Sequence, residues 1–159
     1  MSKEERYTEM LRDMRSLIGE VTESAVGILA NAAALIYERT GYFWVGFYMV
    51  DGDVLRLAPF QGSVACYRIG FGRGVCGAAW ERAETVLVPD VEEFPGHIAC
   101  SSLSRSEIVV PIFDDTKRVI GVLDIDSRET NAFDATDKKY LEEACAVISA
   151  ALRRSPYRA

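Results

Sequence analysis

Apolar residues return at near-helical spacing at both ends of the chain and alternate with a period of two in its middle. In TESAVGILANAAALIYERTG, Val26, Leu29, Ala33, Ile36 and Tyr37 fall near the 3.6-residue period, Thr22 or Ser24 offers a cap, and Gly41 offers a stop. The preceding YTEMLRDMRSLI is amphipathic and predicts a separate short helix. FDATDKKYLEEACAVISAALRR closes the chain as a helix capped by Asp134, with Tyr140, Ala144, Val147, Ile148 and Leu152 as its apolar positions.

Between these helices lie two hairpin signals. FWVGFYMV and VLRLAPF flank DGD, and RSEIVVPIF and RVIGVLDID flank DDTK. CYRIGFGRGVCGAAWERA reads as strand, glycine-rich turn and helix, and ETVLVPD as a short strand. No internal repeat, low-complexity tract or linker interrupts this order. The pattern predicts an α+β fold in a single domain over residues 1–159. Its N-terminal helices fall at about 3–40, its sheet and site-bearing loops at about 43–127, and its C-terminal helix at about 134–154. The terminal helices are expected on one face of a central antiparallel sheet. Their amphipathic faces fit that sheet or a second copy equally well, so a homodimer stays open.

Composition narrows the function. The 159 residues are a natural length for one core. A formal charge of −6 disfavours nucleic acid as a partner, because a polyanion calls for a basic stripe. AVGILANAAALIY and FWVGFYMV are too short for a bilayer, and MSKEERYTEM lacks the features of a signal peptide. The expected compartment is therefore the cytoplasm, without a membrane association. There a disulfide would be transient and catalytic rather than structural.

The cysteines then need individual reasons. Cys145 shares a helical face with Leu141, Ile148 and Leu152 and reads as core. Cys76 stands where GFGRGV passes into a helix. The free N–H groups there and Arg73 would favour a thiolate, and packing between helix and sheet is the equal alternative. Cys100 lies in a loop with His97, several serines and Arg105, a setting suited to a nucleophile. Cys66 reaches it if both loops fold over one end of the sheet. A zinc site from three cysteines and one histidine is disfavoured, since no two cysteines are spaced as a C-x₂₋₄-C turn; no metal is expected.

Strand alternation supplies the rest of the pocket. Val122, Asp124 and Asp126 point one way along VIGVLDID, and Glu107, Val109 and Pro111 share a side of SEIVVPIF. Trp44, Gly46 and Tyr48 share a side of the first strand, opposite Phe43, Val45 and Phe47. Acids lining an exposed face is the plain explanation. Three acids and two aromatics on adjacent strands instead suit a small cation with an apolar arm, with Gly46 leaving the pocket floor open.

With LANAAALIYE, WVGFY, APFQGSVACYRIGFGRGVCG, VPDVEEFPGHIAC, SRSEIVVPIF and GVLDIDS, the chain resembles the free methionine-(R)-sulfoxide reductase family over nearly its whole length. That resemblance implies a GAF-type domain and reduction of free methionine sulfoxide, with no bound cofactor and a thioredoxin-type dithiol as external reductant. It implies Cys100 as the attacking thiol, Cys66 as the resolving thiol and Cys76 as a third catalytic cysteine of less uniform role. Trp44 and Tyr48 would form the aromatic wall, and Glu107, Asp124 and Asp126 would bind substrate and assist proton transfer. Ser63 and Gly70 depart from the family's usual residues at positions that the chemistry is not expected to use. The alternatives are a ligand-sensing GAF module without catalysis and a cysteine redox sensor.

Overall fold

The computed structural model describes residues 1–156. Its helices are α1 (Lys3–Ile18), α2 (Ala25–Thr40), α3 (Gly74–Arg82) and α4 (Ala135–Arg154). Its strands are β1 (Trp44–Asp51), β2 (Val54–Gln61), β3 (Arg68–Gly70), β4 (Val86–Val88), β5 (Ser106–Phe113) and β6 (Val119–Ser127). Ser24, not Thr22, caps α2 by accepting from the Gly27 N–H, and Gly41 ends it. Asp134 and Asp137 form a reciprocal capping box at the start of α4.

The strands make one antiparallel sheet in the order β3-β2-β1-β6-β5-β4. Both expected hairpins form, and β1 joins them by pairing with β6. Val45 and Phe47 of β1, Ile108 and Val110 of β5, and Leu123 and Ile125 of β6 point into a core shared with α1, α2 and α4. The terminal helices thus cover one face, as the pattern implied. Helix α3 differs: its Val75, Cys76 and Ala79 pack on the opposite face against Trp44, Tyr48, Val109 and Val122. A strand buried on both sides needs a second cover, and α3 with its flanking loops supplies it.

Phase along the helices also differs from expectation. Val26 is exposed, whereas Ile28, Ala32 and Leu35 are buried beside Leu29, Ala33 and Ile36. Nearly every side of this alanine-rich segment is apolar, so spacing alone leaves its inward face ambiguous. In α4, Tyr140, Val147 and Leu152 lie at the edge of the core, and Leu141, Cys145 and Ala151 lie inside it.

One buried polar group ties the two ends of the chain together. Asp137 accepts from Tyr7 Oη at 2.6 Å, Tyr42 Oη at 2.7 Å, Lys3 Nζ at 2.7 Å and its own cap N–H of Asp134 at 2.8 Å. A carboxylate so enclosed is tolerable because every side of it meets a donor.

Candidate active site

The two central strand pairs set the carboxyl groups in place. In the β5–β6 register Glu107 is opposite Asp126, and Val109 is opposite Asp124. Across β1–β6, Trp44 is opposite Asp126 and Gly46 is opposite Asp124. Period-two alternation turns all three acids away from the helical core. They are buried nonetheless, at 5% exposure for Glu107, 7% for Asp124 and 8% for Asp126, which removes the plain explanation of a solvated face.

Burial raises their proton affinities. Glu107 is pushed up to about 8 by loss of water, with the charge of Asp126 adding to the effect. Asp124 is raised well above the carboxylate range by burial and then by Glu107. Asp126 is raised by burial and then by Asp124, and a hydrogen bond from Ser104 works against this. One oxygen of this cluster, Asp124 Oδ1, is buried without a hydrogen-bond partner in the protein. Asp124 also lines the cavity, so a ligand donor can reach its carboxyl group.

Aromatic side chains wall the cavity. The Trp44 indole N–H donates to the Ser63 carbonyl at 2.8 Å and its ring stacks on Phe60 and Tyr48 at 5.1 and 6.2 Å between centroids. Tyr48 Oη donates to the Cys66 carbonyl at 2.9 Å. Gly46 does not open the floor as the sequence suggested. A Cβ there would collide with Phe60 and the folded-over Trp44 ring, so the glycine makes room for the indole. Phe43 precedes β1, escapes its alternation, and lines the cavity with Trp44 instead of facing the helices. Ser63 likewise touches the site, but through a carbonyl that any residue provides.

Cys66 and Cys100 are joined by a disulfide with Cα atoms 5.5 Å apart, and its Cys100 end lines the cavity. Cys100, His97, Glu107, Asp124 and Asp126 all line this space. His97 Nε2 stands 3.7 Å from Glu107 Oε1, and its proton affinity is lowered by burial against an opposing pull from Asp124. Burial thus favours the neutral ring.

Cys76 takes the second of its two readings. It does sit in the first turn of α3, but it is buried, and its thiol is pushed far up by burial and by Asp124, Glu107 and Asp126. Helix end and Arg73 do not make it a thiolate; packing against the sheet prevails. Gly72 and Gly74, both at positive φ, bend the chain so that α3 can start over the acids. Cys76, Glu107 and Asp124 place donor atoms within 4.8 Å of one another. These are zinc-ligand types, though a cation would have to displace the protons that burial holds there. Cys145 lies in the helical core, far up in proton affinity through burial.

The eight residues singled out from the sequence thus converge. Seven of them line one cavity, and Cys66 bridges to it through Cys100. Sequence reasoning missed Phe43 and Ser104, since nothing local marks where a strand's alternation starts or which loop serine reaches an acid.

Fold and site together define a GAF domain that carries a disulfide over a buried acid cluster, and residues 8–153 match the GAF domain family. A free methionine-R-sulfoxide reductase of Escherichia coli K12 is 43% identical over 159 residues, covering 99% of this chain and 95% of that protein. GAF domain-containing protein A of Dictyostelium discoideum is 54% identical over 144 residues, 89% of each chain. A solved free methionine-R-sulfoxide reductase of Neisseria meningitidis, in complex with its substrate, superposes with a TM-score of 0.94 at 52% identity, covering 98% of this chain and 93% of that one. The chain belongs to the free methionine-R-sulfoxide reductase family of GAF-domain proteins. No helix among the described residues is long and apolar enough to cross a membrane.

Proposed function

We propose that this chain reduces free L-methionine-(R)-S-oxide to methionine, with Cys100 as nucleophile, Cys66 as resolving thiol and Glu107 as the principal proton donor. The observation that carries the reading is the position of the disulfide. Its Cys100 end lines the same cavity as three carboxyl groups whose proton affinities burial raises, Glu107 to about 8.

A sulfoxide sulfur accepts a thiolate only as its oxygen gains a proton. An ordinary carboxyl is ionised at pH 7, whereas Glu107 at about 8 is mostly protonated. Cys100 thiolate, the sulfoxide and one proton give methionine and Cys100 sulfenic acid. The Cys66 thiol condenses with that sulfenic acid, releasing water and forming the Cys66–Cys100 disulfide. An external dithiol of thioredoxin type restores both thiols.

The α-ammonium group of the substrate is assigned to Asp124, which lines the cavity and gives up its proton as the cation arrives. The methyl-sulfinyl arm lies against Trp44 and Tyr48. The coupled acids share their protons, and the ascription to Glu107 rests on its proton affinity of about 8, close to neutrality.

Turnover supported by dithiothreitol tests this reading against its rivals. The R epimer of free methionine sulfoxide should yield methionine continuously and the S epimer should not. Thiol loss without methionine would identify a redox switch, and neither change would identify a binding module.

A further inference from the structure

The apolar side chains that this protein leaves in water gather around its disulfide. Of the eight large hydrophobic residues exposed among the described residues, five belong to two segments, 62–73 and 94–105. They are Val64, Tyr67, Phe71, Ile98 and Leu103, and the Cys66–Cys100 bond ties their two segments together. Val64 and Tyr67, which bracket Cys66 in sequence, are 86% and 85% exposed. Tyr67, Phe71 and Leu103 do not line the cavity, so binding a small substrate gives them no purpose. A concentrated apolar patch on a soluble surface marks an interaction site.

Charge adds a second, independent feature. Neither segment contains an Asp or Glu, and together they carry Arg68, Arg73 and Arg105 in a chain whose formal charge is −6. All three arginines are exposed, and Arg105 already pairs with Glu92 at 3.5 Å, so Arg68 and Arg73 carry the basic rim. An apolar collar with a basic rim around a disulfide fits a partner with an apolar surface around its thiol and an acidic margin.

We propose that segments 62–73 and 94–105 form the docking surface for a small acidic dithiol protein of thioredoxin type, which enters the disulfide at Cys66. This rests on the reading that the disulfide is the product of turnover. Cys100 lines the cavity whereas Cys66 does not, and Cys66 lies between the two most exposed apolar side chains. A thiolate of the partner attacks Cys66 Sγ, the Cys66–Cys100 bond breaks, and Cys100 leaves with the electron pair. The partner's second thiol loses its proton and attacks the mixed disulfide at the partner's own sulfur, releasing Cys66. Two electrons and two protons pass from the dithiol to Cys66 and Cys100, and the partner leaves as a disulfide.

The test follows thiol release from the oxidised protein mixed with either reduced thioredoxin or dithiothreitol. Relative to the unaltered chain, Tyr67→Ser combined with Leu103→Ser should slow reduction by thioredoxin at least 10-fold and leave reduction by dithiothreitol within about 2-fold. Arg68→Glu, which leaves the apolar collar intact, should slow the thioredoxin reaction alone and flatten its salt dependence. A thioredoxin whose second cysteine is serine should be trapped on Cys66. Equal slowing with both reductants, no slowing by either variant, or an adduct on Cys100 would overturn the proposal. Thiol release is measured without methionine sulfoxide. A protein that passes here yet forms no methionine would therefore refute the catalytic reading and retain the docking surface.

Discussion

Glu107 and Asp126 stand directly opposite each other across β5 and β6, both turned into the same buried cavity. Two ionised carboxyls so placed would repel in a setting with little water to screen them. The arrangement is stable when protons are retained, and Glu107 holds its proton to about pH 8. The backbone register thus makes an acid available at neutral pH.

This gives a pH dependence with a definite sign. Activity should fall as pH rises through about 8, because the protonated acid is consumed. Glu107→Gln should lower kcat/KM at pH 7 by about 100-fold or more and remove that descending limb. Steady-state profiles from pH 5.5 to 9.5 measure both.

The same shift acts on stability. Glu107 binds its proton more tightly folded than unfolded, so its contribution is full below the ordinary value of 4.5 and is lost as pH rises through about 8. Asp124 and Asp126 are shifted in the same direction. The urea midpoint of the disulfide form should therefore drop between pH 5 and pH 9, and Glu107→Gln should reduce the drop. An unchanged drop in the variant would remove Glu107 from the cause.

Recognition of the free amino acid should depend on Asp124, whose Oδ1 lacks a partner within the protein. Asp124→Asn should raise KM for free methionine sulfoxide by about 30-fold or more, because only a carboxyl can lose its proton to the arriving ammonium and become its buried charge partner. N-acetylated methionine sulfoxide, which has no ammonium group, should be a poor substrate for the unaltered chain. Equal turnover of the two compounds would contradict the clamp.

The two bridged cysteines should fail differently. Cys100→Ser should form no methionine at all. Cys66→Ser should form one equivalent per chain and then stop when thioredoxin is the reductant. Continued recycling by Cys66→Ser would move the resolving role to Cys76, the buried thiol beside the acids.

The junction of the chain's two ends offers a control remote from the site. Asp137→Ala strands Lys3 and the hydroxyls of Tyr7 and Tyr42, at a cost of about 3–5 kcal/mol. Tyr7→Phe should cost about 1 kcal/mol. Urea unfolding should rank them in that order, with activity per folded molecule unchanged.

Much of this was readable in the residues because strands obey a period of two. Trp44, Tyr48, Glu107, Asp124 and Asp126 could be assigned to one side of their strands from alternation alone, and the structure puts them there. Helix phase was less legible, as Val26 and Ile28 show, because an apolar run has no distinctive side. Proton affinities were beyond reach for a different reason. Whether Cys76 is a thiolate depends on a helix start and on acids distant in the chain, and burial among them outweighs the favourable helix end. Gly46 misled because a vacant Cβ position is open to any neighbour, and here Trp44 and Phe60 occupy it.

A single-turnover count tests the central chemistry most directly. The fully reduced chain is mixed with excess free methionine-(R)-sulfoxide, no external reductant is added, and methionine, remaining thiols and disulfide-linked peptides are measured together. One methionine for every two thiols lost, with the new bond joining Cys66 to Cys100, is the expected result. Methionine formed without loss of the Cys100 thiol, or a Cys66–Cys100 bond formed without methionine, would contradict it.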